Sequence, residues 1–315
     1  MVVHSGEFNP QECLFKQIIV PKTKVGPFLI QRNRPDFSQF DVVVSMFDLH
    51  WLSNIWPVFF KKNVKFLFWG HGFGKNKLGN KIRKWLIHKS DGLILYNEQR
   101  KKELAQAGIS VDKLYVANNT IAVTNAGRAE TVKNQFLFVG RLQQRKRVDI
   151  LIRAFALAKN QLADNSVFLS IVGDGEERQS LEQLSRELAV EPYCTFHGAL
   201  NDDEMLKRQF EKSFAYVSPG AMGLGINHAF AYGIPTLSNK SVKHGPESWV
   251  LNEKNSLWID AQADDDQVSL LAKQMISLAT NGALAESLSK QAYKDYEQFC
   301  SMEVMANGFC HVFEQ

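Results

Sequence analysis

Three short glycine-bearing stretches of this chain, the first of them with fixed positive charge, together suit a diphosphate. They are Gly140-Arg141-Leu142-Gln143-Gln144-Arg145-Lys146, Gly173-Asp174-Gly175-Glu176-Glu177 and Ser218-Pro219-Gly220-Ala221-Met222-Gly223-Leu224. Arginine and lysine make charge-assisted contacts to phosphate oxygens. Glycine lets backbone N–H groups approach an anion closely, and a helix N-terminus presents several such groups together. Taken singly, each stretch has a plainer reading: a loop cation is usually solvated, and Gly-Asp-Gly is usually a turn. Their placement gives them weight.

Each stretch follows an apolar run of strand length, at residues 136–139, 167–172 and 214–217. Between these runs lie helical patterns. One has apolar residues at 148, 151, 152, 155 and 158. A second, over 176–189, carries Leu181, Leu184 and Leu188 on one stripe; others cover 202–210 and 226–232, the last closed by Gly233. Residues 193–196, and those from Pro235 onward, read as further strands. Such alternation predicts βαβ units and a parallel sheet covered on both faces. Ligands of such sheets bind at the carboxyl ends of the strands. The three stretches therefore line one crevice, with Arg141, Lys146 and the amides before residue 226 as its positive groups. Residues 264–313 read as mostly helical.

The first half has weaker periodicity. Strands are expected at 41–44, 64–69, 92–96 and 114–116, the second ending in Gly70-His71-Gly72. The opening 35 residues lack a strand, Gly-rich loop and helix in succession. A polar link between the halves is expected over 119–134.

Length and composition fit this picture. The chain has 315 residues, 45% apolar and 22% charged, enough for two domains and foreign to fibrous or disordered classes. No run of 18 apolar residues occurs, and no basic, then apolar, leader opens the chain, so a cytoplasmic protein is expected. The cysteines at 13, 194, 300 and 310 are scattered, which argues for a reducing compartment and against a disulfide framework or zinc site. Charge is uneven. Residues 1–130 hold 19 Lys+Arg against 10 Asp+Glu, and the remainder holds 18 against 23. The basic half is expected to meet something anionic.

The motifs carry a resemblance. Phe138-Val139-Gly140-Arg141-Leu142 with Lys146, Asp149 and Phe155, then Ile171-Val172-Gly173-Asp174-Gly175 with Arg178 and Leu181, resemble the donor domain of the retaining glycosyltransferases of family 4, group 1. His197-Gly198, Ala229-Phe230-Ala231-Tyr232-Gly233-Ile234-Pro235, and Pro246-Glu247 with Asn255 follow in that family's order. The resemblance covers roughly residues 38–300. It implies an α/β chain of GT-B architecture: two Rossmann-like, doubly wound domains facing across a cleft, here with an N-terminal domain that reads as incomplete. The domains are expected at 1–125 (acceptor side) and 126–295 (nucleotide-sugar donor side), with 296–315 a C-terminal helix packing back toward the first. It also implies that Gly140, Arg141, Lys146, Gly173, Gly175, Gly220, Met222, Gly223, Leu224 and His228 meet the donor, and that His71 lies near the transferred sugar. His71, Arg141 and Lys146 form the expected catalytic set.

Two departures stand out. The family's paired glutamates fall at Gly220 and His228. The surrounding residues, with Trp69-Gly70-His71-Gly72, Asn118-Asn119-Thr120-Ile121 and His244-Gly245-Pro246-Glu247, resemble a subgroup associated with bacterial surface polysaccharides such as lipopolysaccharide and capsule. The expected function is thus sugar transfer from a nucleoside-diphosphate sugar to a lipid-linked or growing glycan. No cofactor or metal is expected, the Asp202-Asp203 and Asp264-Asp265-Asp266 runs reading as a helix start and a solvated loop. A degenerate protein that only binds nucleotide-sugar or a partner enzyme is the alternative. Residues 61–102 hold 12 Lys+Arg against Asp91 and Glu98, with Glu103 just beyond. Within them, residues 75–89 fit a helix lying on an anionic membrane. Nucleic acid is not expected, since no reader motif or aromatic stacking platform is present.

Overall fold

In the computed structural model, residues 1–6, 15–61, 63–128, 131–162 and 166–314 are described. Cys13, Lys62 and Gln315 lie outside them. The chain forms two compact units, residues 1–118 with 307–315, and residues 119–306.

The first unit opens with a parallel pair, β1 (Val2–His4) and β2 (Gln17–Ile19), and an antiparallel hairpin, β3 (Lys22–Val25) and β4 (Phe28–Gln31). Gly26, at φ +58°, supplies the left-handed residue of the hairpin turn, and Pro27 follows it. These short strands carry no alternation long enough to be read from sequence. The main sheet is parallel, in the order β5 (Val42–Met46), β6 (Lys65–Gly70), β7 (Gly92–Leu95), β8 (Leu114–Val116). Helices α1 (Leu52–Ile55), α2 (Lys77–Lys89) and α3 (Glu98–Gln106) connect its strands. Asn76 and Asn97 cap α2 and α3 through their side-chain oxygens. The core packs Phe47, Phe66, Phe68, Leu86, Ile87, Leu93 and Leu104.

The second unit is a six-stranded, wholly parallel sheet. Its strands are β9 (Gln135–Val139), β10 (Phe168–Val172), β11 (Cys194–Gly198), β12 (Ser213–Ser218), β13 (Thr236–Asn239) and β14 (Ser256–Ile259). Their spatial order is β11-β10-β9-β12-β13-β14. The helices are α4 (Val148–Lys159), α5 (Arg178–Glu187), α6 (Asp203–Glu211), α7 (Gly225–Ala231), α8 (Asp264–Thr280) and α9 (Gly282–Asp295). After a π-helical turn comes α10 (Met302–Glu314), whose residues from 307 on belong to the first unit. There Lys65 Nζ donates to the Val312 carbonyl at 2.6 Å and Phe309 meets Trp69 edge-on at 5.5 Å. The inner strands β9, β10, β12 and β13 are buried on both faces, which is why they read as apolar runs rather than alternation.

Several expectations shift. Residues 119–128 belong to the second unit instead of forming a free link: Tyr232 donates to the Thr124 carbonyl at 3.0 Å, and Gly127 N–H to that of Ala231 at 2.9 Å. Asp264–Asp266 form the first turn of α8 instead of a solvated loop, where the helix dipole favours acids. Asp202 caps α6, accepting from Met205 N–H. The described cysteines are free. No helix among the described residues is long and apolar enough to cross a membrane.

Candidate functional site

The three stretches meet at the carboxyl ends of β9, β10 and β12, held by backbone contacts that only glycine permits. Gly140 N–H donates to the Val172 carbonyl at 2.9 Å, and Leu142 N–H to that of Asp174 at 2.8 Å. Gly173 sits at φ +136°, and a Cβ there would lie 1.9 Å from the Gly140 carbonyl oxygen. A Cβ on Gly175 would lie 2.2 Å from that of Leu142. Gly220 docks on the turn that holds the cations. Its N–H donates to the Lys146 carbonyl at 3.1 Å, that of Ala221 to Arg145 at 3.0 Å, and a Cβ on Gly220 would fall 2.3 Å from the Arg145 oxygen. No side chain fits at residue 220 without moving backbone, so the missing glutamate is built into the loop's geometry.

The structure sorts the cations. Arg147, in the left-handed region at φ 52°, pairs with Asp149 at 3.2 Å and Asp264 at 2.8 Å, fixing the turn to α4 and α8. These carboxylates raise its pKa, Asp149 first. Lys146 is half-buried and donates to the Ala221 carbonyl at 2.6 Å. Burial lowers its pKa, as does nearby Arg145, while Glu247 raises it. Arg141 is exposed and pairs with no described residue. It is the cation best placed to reach out to a ligand.

Beyond Gly220 the chain enters α7. Leu224 gives this helix no side-chain cap, and the N–H groups of Gly223, Leu224 and Gly225 donate to no described residue. A Cβ on Gly223 would meet nothing within 4 Å, so this turn faces open space. Met222 is buried beneath it. Its N–H donates to His244 Nδ1 at 3.4 Å, while His244 Nε2–H donates to the Asn239 carbonyl at 2.8 Å. Burial lowers the His244 pKa, opposed by hydrogen bonds to the Asn239 and Gly220 backbone, and Lys146 adds to the lowering. His244 is a supporting residue to which no role is expected from sequence; its place in His-Gly-Pro-Glu after β13 is the signal.

His228 occupies the second turn of α7, half-buried, its ring 5.5 Å from that of Phe210 on α6. Burial lowers its pKa, partly offset by Asp203. It packs at the α6 side of the cluster formed by the loops. His71 stands in the first unit, after β6, edge-on to Tyr96 at 4.4 Å. Trp69, just before it, buries its indole N–H with no hydrogen-bond partner among the described residues. The residues expected to meet a donor, Gly140, Lys146, Gly173, Gly175, Gly220, Met222, Gly223 and Leu224, thus share one loop cluster, with Arg141 at its edge. His71 belongs to the other unit.

Comparisons with known proteins agree with this architecture. A sequence model of the family described as glycosyl transferases group 1 matches residues 119–295. The poly(ribitol-phosphate) alpha-N-acetylglucosaminyltransferase of Staphylococcus aureus (strain COL) is 20% identical over 236 residues, 74% of this chain and 46% of that protein. The lipopolysaccharide core biosynthesis glycosyltransferase LpsE of Rhizobium meliloti (strain 1021) is 30% identical over 122 residues, 39% of this chain and 34% of that protein. The chain spans about half the length, or less, of these relatives. Among solved structures, Anabaena HepE in complex with UDP superposes with a TM-score of 0.67 at 14% identity, covering 88% of this chain and 79% of that one. That likeness shows the fold to be GT-B. With its family match extending over more than half its length, the chain belongs to the glycosyl transferases group 1.

Proposed function

We propose that this chain transfers a sugar, with retention at the anomeric carbon, from a nucleoside-diphosphate sugar to a lipid-linked or growing surface polysaccharide. The observation that carries the reading is the loop cluster of the second unit. There Arg141, Lys146 and the unpaired amides of residues 223–225 converge on space open to a ligand. As the bond between sugar and diphosphate breaks, negative charge grows on the leaving oxygen. Fixed donors aimed at that charge lower the barrier without reorganising. These groups supply the positive field themselves, so the reading invokes no metal. His71 would lie by the transferred sugar, as the family resemblance implies. The UDP bound to HepE and the polymers named for the relatives favour this substrate class.

A membrane surface belongs to the same reading, on a separate observation. Helix α2 turns Leu86 and Ile87 into the core but leaves Leu78, Ile82 and Trp85 exposed, at 67%, 44% and 50%. Trp85 touches Phe59, which continues to Trp56 and Phe60, the latter two more than 60% exposed. Lysines 75, 77, 81 and 89 flank this apolar strip. Aromatic rings edged by lysine suit the headgroup layer of an anionic bilayer, and a cytoplasmic, peripheral placement follows. Arg83 and Lys84 contribute less, because Lys84 donates to the Ala107 carbonyl at 2.9 Å and Arg83 folds over Gly79.

Calorimetry with UDP and GDP tests the donor pocket. Arg141→Ala and Lys146→Ala should each weaken binding by about 2–3 kcal/mol, the size of a charge-assisted contact. Unchanged affinity in both variants would sink the assignment. Nucleotide binding without transfer to any glycan acceptor would favour the degenerate, binding-only reading.

A further inference from the structure

Two carboxylates are buried among the described residues, Asp295 and Glu247. Asp295 is fully used. Its oxygens accept from Asn255 at 2.7 Å, Gln291 at 2.9 Å and Asn252 at 3.5 Å. Glu247 is 8% exposed, and only its Oε1 is taken, by Asn119 Nδ2 at 2.9 Å. Its Oε2 accepts no hydrogen bond from a described residue. That oxygen is not sealed from solvent, so it stays open to a donor from outside the chain.

The position of that oxygen is informative. Glu247 lies in a single 3₁₀ turn, Pro246–Val250, at the same end of the sheet as the cation loops. Gly245 separates the carboxylate from the loop that leads into α7. A Cβ there would be 2.6 Å from Glu247 Oε2, 2.9 Å from the Met222 carbonyl oxygen and 3.6 Å from Gly223 Cα. Gly245 N–H donates to that same Met222 carbonyl at 3.0 Å, holding the two segments in register. Asn119 is itself fixed, because its carbonyl accepts from the buried Asn227 on α7 at 3.1 Å. The carboxylate is therefore held rigidly beside the helix start, with Lys146 close enough to feel its charge.

An anion is the wrong partner for Oε2, since the diphosphate already has Arg141, Lys146 and the free amides. Hydroxyl groups are the right one: a carboxylate oxygen accepts from them strongly, and a sugar offers several on one face. Resting on the donor-pocket reading above, we infer that Glu247 Oε2 accepts hydrogen bonds from hydroxyls of the donor's sugar. It is thus a specificity-determining residue, supplying from the loop after β13 the carboxylate for which residue 220 has no room. Asn119 is its positioning residue.

The test compares affinities of the whole chain for UDP and GDP with those for UDP-glucose, UDP-galactose, UDP-N-acetylglucosamine and GDP-mannose. The readout is the factor by which the preferred sugar nucleotide outbinds its free diphosphate. Glu247→Gln keeps the length and an oxygen for Asn119 but removes the charge. Glu247→Asp keeps the charge near Lys146 but withdraws the oxygen by one methylene. Both should lose about tenfold in that factor, as for a hydrogen bond to a charged group. Free diphosphate should bind unchanged to the aspartate variant and no more weakly to the glutamine variant. Asn119→Ala should reduce the factor less. If either Glu247 variant weakens diphosphate and sugar nucleotide equally, or leaves the factor untouched, the assignment is overturned while the pocket stands. A wild-type chain that binds neither UDP nor GDP would sink the pocket and this role together.

Discussion

The two units use the same βαβ logic toward opposite ends. In the second, six parallel strands bring their loops into backbone contact, and the glycines at 173, 175 and 220 leave no space between segments. Its surface chemistry is inward: cations, amides and one carboxylate gathered at the strand ends. In the first, four strands carry helices whose outer faces keep Leu78, Ile82, Trp85, Trp56 and Phe60 exposed among lysines. One unit gathers its polar groups at the strand ends, the other keeps apolar side chains uncovered among lysines. The first kind of site is set by close approach of backbone, the second by which side chains remain uncovered.

Core truncation should separate them most sharply. Phe155→Ala removes a fully buried ring from the second unit and should cost about 3–5 kcal/mol in urea unfolding. Trp85→Ala, on the exposed strip, should stay within about 0.5 kcal/mol. A Trp85 loss as large as that of Phe155 would mean the strip is packed rather than presented.

The surface reading comes next in size. Replacing Lys77, Lys81 and Lys89 by glutamine should weaken binding to anionic vesicles by about 1 kcal/mol per charge. Added salt should have a similar effect, since the Debye length is about 10 Å at 0.1 M. Wild-type binding to zwitterionic vesicles without a salt response would contradict an electrostatic surface.

Proton linkage gives a smaller contrast. Burial lowers the pKa of His197, His228 and His244, all in the second unit. The unfolded chain therefore takes up these protons first as pH falls, and it binds more protons than the native state in that window. Their contribution to stability is complete above the unfolded value near 6.5 and is lost as pH falls through the lowered folded values. Urea midpoints of the second unit should drop between pH 7.5 and 5.5. Replacing the three histidines by glutamine should flatten that response.

The smallest effect concerns His228 and the donor. Its lowered pKa moves any titration of UDP affinity to the acid side of 6.5. Binding should tighten as the ring protonates near the diphosphate, and His228→Gln should abolish the change. An unaltered profile in that variant would leave His228 as a packing partner of Phe210 alone.

Much of the second unit is legible in the sequence alone. Its inner strands are buried on both faces and appear as apolar runs, and glycines stand where those runs end. The hairpin of β3 and β4, and the strand Ser256–Ile259, escaped because runs of four residues carry too little pattern to separate from loop. The exposed strip was half visible: Leu78, Ile82 and Trp85 share a helical spacing, but spacing cannot tell which apolar face is covered.

By itself the sequence determined the alternation of strands and helices over most of the second unit, the glycines that let loops touch, and the cations that follow β9, because these depend on local sterics and periodicity. Only the tertiary structure decided which cation stays available. Arg147 is drawn into ion pairs with Asp149 and Asp264, whereas Arg141 is left exposed. It also placed Glu247, far along the chain from both Lys146 and Asn119, beside each of them. Ion pairs and buried carboxylates are long-range relations, and the sign and reach of a charge mean little until folding sets what surrounds it.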